Sequence, residues 1–316
     1  MPYSTRIIHK EKAWLGMYLQ HYSLREPPFT LTPDTDFFFS YSSHQEALNV
    51  LLVALQGGEG FIKVSGEVGT GKTLICRQLL NLLDETYVTA YIPNPFLNPT
   101  ALRMALAEEL GIEFARNIGQ HRLLKLITER LLELHRNGRQ IVLLLDEAQA
   151  IPDDSLEALR LLTNLETEKR KLLQVVLFGQ PELDVRLAQR NLRQLKQRIV
   201  FSYQLHPLNR LALGEYVQHR LRVAGYRGPA LFKPRAIRQL HRSSRGIPRL
   251  VNLLCHKALM AAYGSGSLEI SCAHIRRAAR DTEDLLQRRP RWLTIATGLA
   301  GLIALTSAGL LYAYGI

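Results

Sequence analysis

Gly66-Glu67-Val68-Gly69-Thr70-Gly71-Lys72-Thr73 has the spacing G-x-x-x-x-G-K-[ST] without a mismatch, and its flanks restrict the fold more than any other stretch. Ahead of it, Phe61-Ile62-Lys63-Val64-Ser65 reads as a short strand. Behind it, Thr73 to Leu83 reads as a helix with an apolar stripe. Strand, glycine-rich turn and helix in this order gather main-chain N–H groups and the positive end of a helix around one point, which suits phosphate oxygens. Gly66 through Leu74 are therefore the expected ATP contacts. Lys72 is expected to reach the β- and γ-phosphates and the Thr73 hydroxyl to bind Mg²⁺.

A second stretch belongs with the first. Ile141-Val142-Leu143-Leu144-Leu145 is an uninterrupted apolar run, as in a parallel strand covered on both faces, and it ends in Asp146-Glu147-Ala148-Gln149. Acids at the carboxyl end of such a strand face the ligand crevice of an open α/β sheet. Asp146 is expected to hold Mg²⁺, through water, and Glu147 to polarise the water that attacks the γ-phosphate.

Along the chain, helical and strand patterns alternate. Ser43-x-x-Glu46 reads as a capping box opening a helix to about Gln56. Strands are expected at Tyr87–Ile92, Gln140–Asp146, Leu173–Phe178 and Ile199–Tyr203. Helices are expected at Pro99–Leu110, Gln120–Arg136 and Asp153–Leu165, the last with Asp153 or Asp154 near its cap. Five strands alternating with helices imply a three-layer αβα domain around a parallel five-stranded sheet. After His206-Pro207-Leu208 the strand signal fades, and Gly214–Ala224, Pro234–Arg242, Ile247–Ala262 and Ser271–Gln287 read as a small all-α lid. The expected division is 17–205 for the αβα domain, with Pro27-Pro28-Phe29 and Phe37-Phe38-Phe39 packing on it, and 206–287 for the lid. Residues 1–16 are expected to be a leader or an over-long start.

The far end sets an expected address. Trp292 to Tyr314 is 23 residues without a charged side chain, about 35 Å as a helix, enough for a hydrocarbon layer of roughly 30 Å. Arg288, Arg289 and Arg291 precede it, so the positive-inside rule predicts a single inner-membrane span with the bulk of the chain cytoplasmic. Ala296, Ala300, Ala304 and Ala308 form a small-residue stripe along it. Cys76, Cys255 and Cys272 are far apart and lack metal-ligand spacing. The net charge of +12 favours anionic partners: nucleotide, nucleic acid or acidic lipid.

Later segments complete a pattern. Gln194-Leu195-Lys196-Gln197-Arg198-Ile199 resembles the arginine-finger segment of clamp-loader and initiator AAA+ ATPases. Ser244-Arg245-Gly246-Ile247-Pro248-Arg249-Leu250-Val251-Asn252 resembles their second sensor, and Gln180 matches the polar first sensor. Glu26-Pro27-Pro28-Phe29, the phosphate loop, Asp146-Glu147-Ala148-Gln149, Gly179-Gln180-Pro181-Glu182-Leu183, Gln197-Arg198-Ile199 and Gly246 to Asn252 together resemble the general secretion pathway A (ExeA/GspA) ATPases. Within these the chain is most similar to the branch serving mannose-sensitive haemagglutinin pili. The resemblance covers about Met17 to Gln287. It implies Arg198 acting on a neighbouring subunit's ATP, Arg249 sensing the γ-phosphate in its own chain, a homo-oligomer, and partners in pilus or type II secretion machinery at the inner membrane. The family typically continues into a periplasmic peptidoglycan-binding region. A DNA-acting ATPase of the initiator or transposition-regulator type is the alternative, for which salt-sensitive DNA binding is the discriminating property. A nucleotide-binding scaffold without turnover is disfavoured by Lys72, Asp146 and Glu147 occurring together.

Overall fold

The computed structural model describes residues 18–115, 117–166 and 171–282. Its centre is a parallel sheet of five strands in the order β2-β3-β4-β1-β5. The strands are β1 (Phe61–Gly66), β2 (Tyr87–Ile92), β3 (Gln140–Leu145), β4 (Gln174–Gly179) and β5 (Ile199–Leu205). The all-apolar runs of β3 and β4 take interior places, whereas β5 lies at an edge and alternates half-buried and exposed residues. This is the expected three-layer arrangement, with strand ends displaced by one or two residues.

Helices cover both faces because the crossovers between parallel strands must bury their own apolar stripes. One face packs against α3 (Pro99–Glu109), α4 (Gln120–Arg136) and α5 (Asp153–Leu162), through Leu102, Leu106, Ile127, Leu131, Leu156 and Leu159. The opposite face packs against α1 (Ser42–Gln56) and α2 (Lys72–Leu82), through Leu48, Leu51, Leu55, Ile75 and Leu79. Each such side chain, fully buried, contributes about 1.5–3 kcal/mol before conformational entropy is subtracted. Short helices α6 (Pro181–Leu187) and α7 (Arg193–Arg198) link β4 to β5.

Among the described residues four further helices follow: α8 (Arg210–Val223), α9 (Pro234–Ser244), α10 (Pro248–Gly264) and α11 (Cys272–Arg280). They share a separate core with the chain's beginning: Tyr18, Tyr22, Phe29 and Phe37 pack with Leu213, Val217, Leu240, Leu254 and Leu259. The aromatic N-terminal segment therefore belongs largely to the lid, not to the αβα domain in which 17–205 placed it. Buried Arg220 draws it there. Its Nε donates to the Pro28 carbonyl at 2.5 Å and its guanidinium carbon lies 4.5 Å from the Phe37 ring centroid. Asn252 adds a hydrogen bond from Nδ2 to the Thr30 carbonyl at 3.0 Å.

The capping box is also corrected. Tyr41 is the N-cap of α1 and makes no side-chain cap bond. Ser43 and Glu46 lie inside the helix and turn to β5 instead: Ser43 Oγ accepts from the His206 N–H at 3.1 Å, and Glu46 Oε2 accepts from the Tyr203 hydroxyl at 2.8 Å. Asp153 opens α5 behind an N-cap Pro152 and forms an ion pair with Arg186. The expected membrane span at 292–314 and the leader at 1–16 lie outside the described residues. Among the described residues, no helix is long and apolar enough to cross a membrane.

Candidate nucleotide site

The phosphate loop leaves β1 and enters α2. Gly69 has φ +82°, and a Cβ built on it would stand 2.6 Å from Arg249 Cβ, so both backbone angle and crowding require glycine. Thr70 is fully buried, while Glu67 and Val68 form the exposed rim. Lys72 Nζ donates to the Gly66 carbonyl at 2.8 Å and the Glu67 carbonyl at 3.1 Å, placing the ammonium in the curl of the loop. Burial pushes the Lys72 pKa down, opposed by the carboxylates of Glu147 and Asp146. Thr73 and Leu74, half-buried, continue into α2.

Asp146 follows β3 and is buried. Its Oδ2 accepts from the Thr73 hydroxyl at 2.6 Å and its Oδ1 from the Glu147 N–H at 2.9 Å. Burial raises its carboxyl above the ordinary range, and the Thr73 hydrogen bond works against that rise. The hydroxyl of Thr73, in the first turn of α2, and the carboxylate of Asp146, at the tip of β3, are hard oxygen donors of the kind Mg²⁺ takes together with phosphate oxygens and water. Among the described residues, no cluster of three or more His, Cys, Asp or Glu forms a closed protein cage for a metal. The donor set therefore fits Mg²⁺ shared with a nucleotide.

Glu147 occupies the left-handed region at φ 50°, ψ 40°, an uncommon and strained place for a residue with a Cβ. Its Oε2 accepts from Gln180 Nε2 at 3.0 Å and from Gln149 Nε2 at 2.5 Å. Gln180 stands just past β4, and its backbone N–H donates to Gln149 Oε1 at 3.0 Å. Arg186 supports the group by donating to the Gln149 carbonyl at 2.7 Å. Glu147 and Gln180 thus meet across the ends of β3 and β4. Gln149 and Arg186 were not assigned roles from sequence, although Gln149 belongs to the Asp-Glu-Ala-Gln run. His44 was also missed. It is buried on α1 with Nε2 3.0 Å from the Thr70 carbonyl, and nothing in its spacing announces a partner 26 residues away.

Arg249 reaches the loop from the lid. Its backbone N–H donates to the Gly69 carbonyl at 3.2 Å. Its side chain is exposed at the second residue of α10, where a cation opposes the helix dipole, so local helix stability does not explain its presence. Arg198 is elsewhere. Ile199 pairs with Phe61 and Leu205 with Gly66, so Arg198 lies at the amino edge of the sheet, the far end of β1 from the loop. At about 3.3 Å per residue the separation is on the order of 17 Å along the strands. Its charge falls instead near Glu157 and Glu166.

The geometry now has counterparts. Residues 55–187 match the family model described as AAA domain. The Cdc6p structure of Pyrobaculum aerophilum is 20% identical with a TM-score of 0.62, covering 82% of this chain and 75% of that one. The Aeropyrum pernix ORC2 protein is 17% identical with a TM-score of 0.57, covering 80% and 72%. Sheet order, loop and strand-tip acids define the class: this chain carries an ATP-hydrolysing AAA domain with a helical lid. The general secretion pathway protein A of Aeromonas hydrophila is 43% identical over 299 residues, 95% of this chain and 53% of that protein. The chain is thus its homologue and spans about half its length.

Proposed function

We propose that this protein is a membrane-anchored AAA+ ATPase that hydrolyses ATP, as an oligomer, in the service of a secretion or type IV pilus assembly. The chemistry rests on the convergence of Lys72, Thr73, Asp146 and Glu147 at the carboxyl edge of one sheet. The secretion role rests on the homologue's name and its 43% identity. The pilus reading and closeness to the pilus biogenesis ATPase MshM rest on the sequence resemblance alone. Anchoring at the inner membrane, with the AAA domain cytoplasmic, rests on the apolar residues 292–314 and the arginines before them.

In this mechanism the N–H groups of Gly69 to Thr73 and the Lys72 ammonium hold the β- and γ-phosphates. Thr73 and Asp146 are the residues that would hold Mg²⁺, which supplies neutralisation of phosphate charge when bound. Glu147 orients the attacking water and takes up its proton. Gln180 and Gln149 set the angle of the Glu147 carboxylate. Charge developing on the γ-phosphoryl oxygens is stabilised by Arg249 from the lid and by Arg198 from an adjacent subunit, a contribution of about 10³–10⁵ in rate for a well-placed finger.

The test is Mg²⁺-dependent phosphate release by the purified full chain. Lys72→Ala is expected to lose productive ATP binding. Glu147→Gln is expected to bind ATP with wild-type affinity and to turn it over 10²–10⁴-fold more slowly, the usual range for a positioned base. Wild-type turnover in Glu147→Gln would remove Glu147 from the mechanism. Address is tested separately by protease added to intact spheroplasts: cleavage of the AAA domain without lysis refutes the proposed topology.

A further inference from the structure

The positive charge of this chain is concentrated. Residues 43–205 contain nineteen basic and nineteen acidic side chains, whereas residues 206–282 contain fourteen against three. Two of those three acids are already paired, Glu269 with Lys233 at 3.0 Å and Asp281 with Lys257 at 3.1 Å. Between α8 and α9 of this basic layer lies a groove of about 760 Å³. Its floor is apolar, built from Val217, Leu221, Phe232 and Ile237, with Gly214 leaving space where a side chain would stand. Its rim carries Arg210, Arg222, Arg227 and Arg238, all exposed. A smaller cleft continues from Arg210 and Arg238 to His241 and Arg242. Leu211 sits at the mouth, 75% exposed.

We propose that this groove docks an acidic amphipathic α-helix of a partner protein. Two helices with a trough between them accept a third through apolar anchors at i, i+3, i+4 and i+7. Four exposed arginines, against which the two flanking helices set only Glu215, select a helix whose flanks carry Asp and Glu, and disfavour a basic one. Other occupants match only part of the site. Duplex DNA offers phosphates to the rim but nothing apolar to the floor. An anionic bilayer supplies both chemistries but presents a broad surface that does not enter a trough between helices. A second copy of this chain presents an αβα body with balanced charge, which lacks the complementary sign. The inference rests on the lid alone and stands apart from the ATPase mechanism.

The experiment pans a display library of helix-stabilised peptides of roughly 16 residues, about four turns, with randomised faces, on the full chain. Recovered peptides are then titrated by fluorescence anisotropy. They are expected to combine the four-anchor apolar spacing with Asp and Glu flanks. Gly214→Leu fills the floor, since a Cβ there already meets Ile237 Cγ2 at 3.7 Å. The double reversal Arg210→Glu/Arg238→Glu leaves the floor intact. Each is expected to weaken the peptides at least tenfold while ATP turnover stays at the wild-type rate. The double variant alters only exposed side chains and decides the matter if Gly214→Leu misfolds. Failure to enrich acidic helices, or binding indifferent to the double reversal, overturns the proposal. So does binding of duplex DNA or phosphatidylglycerol vesicles, or self-association, that the reversal abolishes while no peptide binds.

Discussion

Glu147 was legible as the acid after a buried strand, but its two carboxamide partners come from different strand ends. Gln149 is two residues on, whereas Gln180 arrives only when β4 lies beside β3. Gln149→Ala leaves Glu147 with one of these partners. Misplacement of a reacting group by about 1 Å can cost 10²-fold, so kcat is expected to fall about 10–100-fold with KM for ATP nearly unchanged, as steady-state kinetics would read. A parallel rise in KM would instead make Gln149 a binding residue. His44 belongs to the same scale. Its ring is buried against the loop, and burial chiefly lowers its pKa to about 4. A neutral ring must carry its proton on Nε2 to donate to the Thr70 carbonyl. Below the unfolded value of about 6.5 the unfolded chain takes up a proton that the folded chain refuses until pH 4, so stability drops as pH falls through that window. The His44 contribution at pH 5 is about 2 kcal/mol. His44→Gln is expected to flatten this part of the profile, measured as Tm between pH 7 and 5.

The turn between α9 and α10 is the element that aims Arg249. Arg245 and Gly246 both have positive φ, 54° and 76°, and a Cβ on Gly246 would stand 2.0 Å from the Leu208 carbonyl oxygen. Pro248 then opens α10 where its missing N–H costs nothing, and Arg249 follows against Gly69. Strain of this kind costs on the order of 1–3 kcal/mol and the clash adds to it. Gly246→Ala is expected to lower unfolding free energy by about 3 kcal/mol or more in urea titration. Any folded remainder is expected to discriminate ATP from ADP poorly; full stability with intact discrimination would show the turn is not needed. The run Gly246-Ile247-Pro248-Arg249 announced this element because glycine and proline report backbone geometry directly. Ser43 and Glu46 misled for the complementary reason. Their capping spacing is local, but α1 lies against β5, and the Tyr203 hydroxyl of that strand and the His206 N–H just past it claim those side chains.

At the scale of the molecule, Arg198 lies at the wrong edge of the sheet to reach its own chain's phosphate loop, so its proposed role requires a neighbour. Specific activity is expected to rise with protein concentration, and mixing Arg198→Ala with Lys72→Ala subunits is expected to restore part of the lost turnover. A concentration-independent rate from a monomer would end the trans-finger reading. The order of strands and helices, the parallel sheet and the phosphate loop could all be read in one dimension, because hydrophobic period, glycine placement and strand-tip acids are local signals set by backbone sterics. The allegiance of the N-terminal segment, the grip on Glu147 and the buried His44 could not. Each depends on side chains far apart in the chain that share one core or one strand edge, as Arg220 and Pro28 do. Burial and hydrogen bonding reward that proximity only after folding creates it.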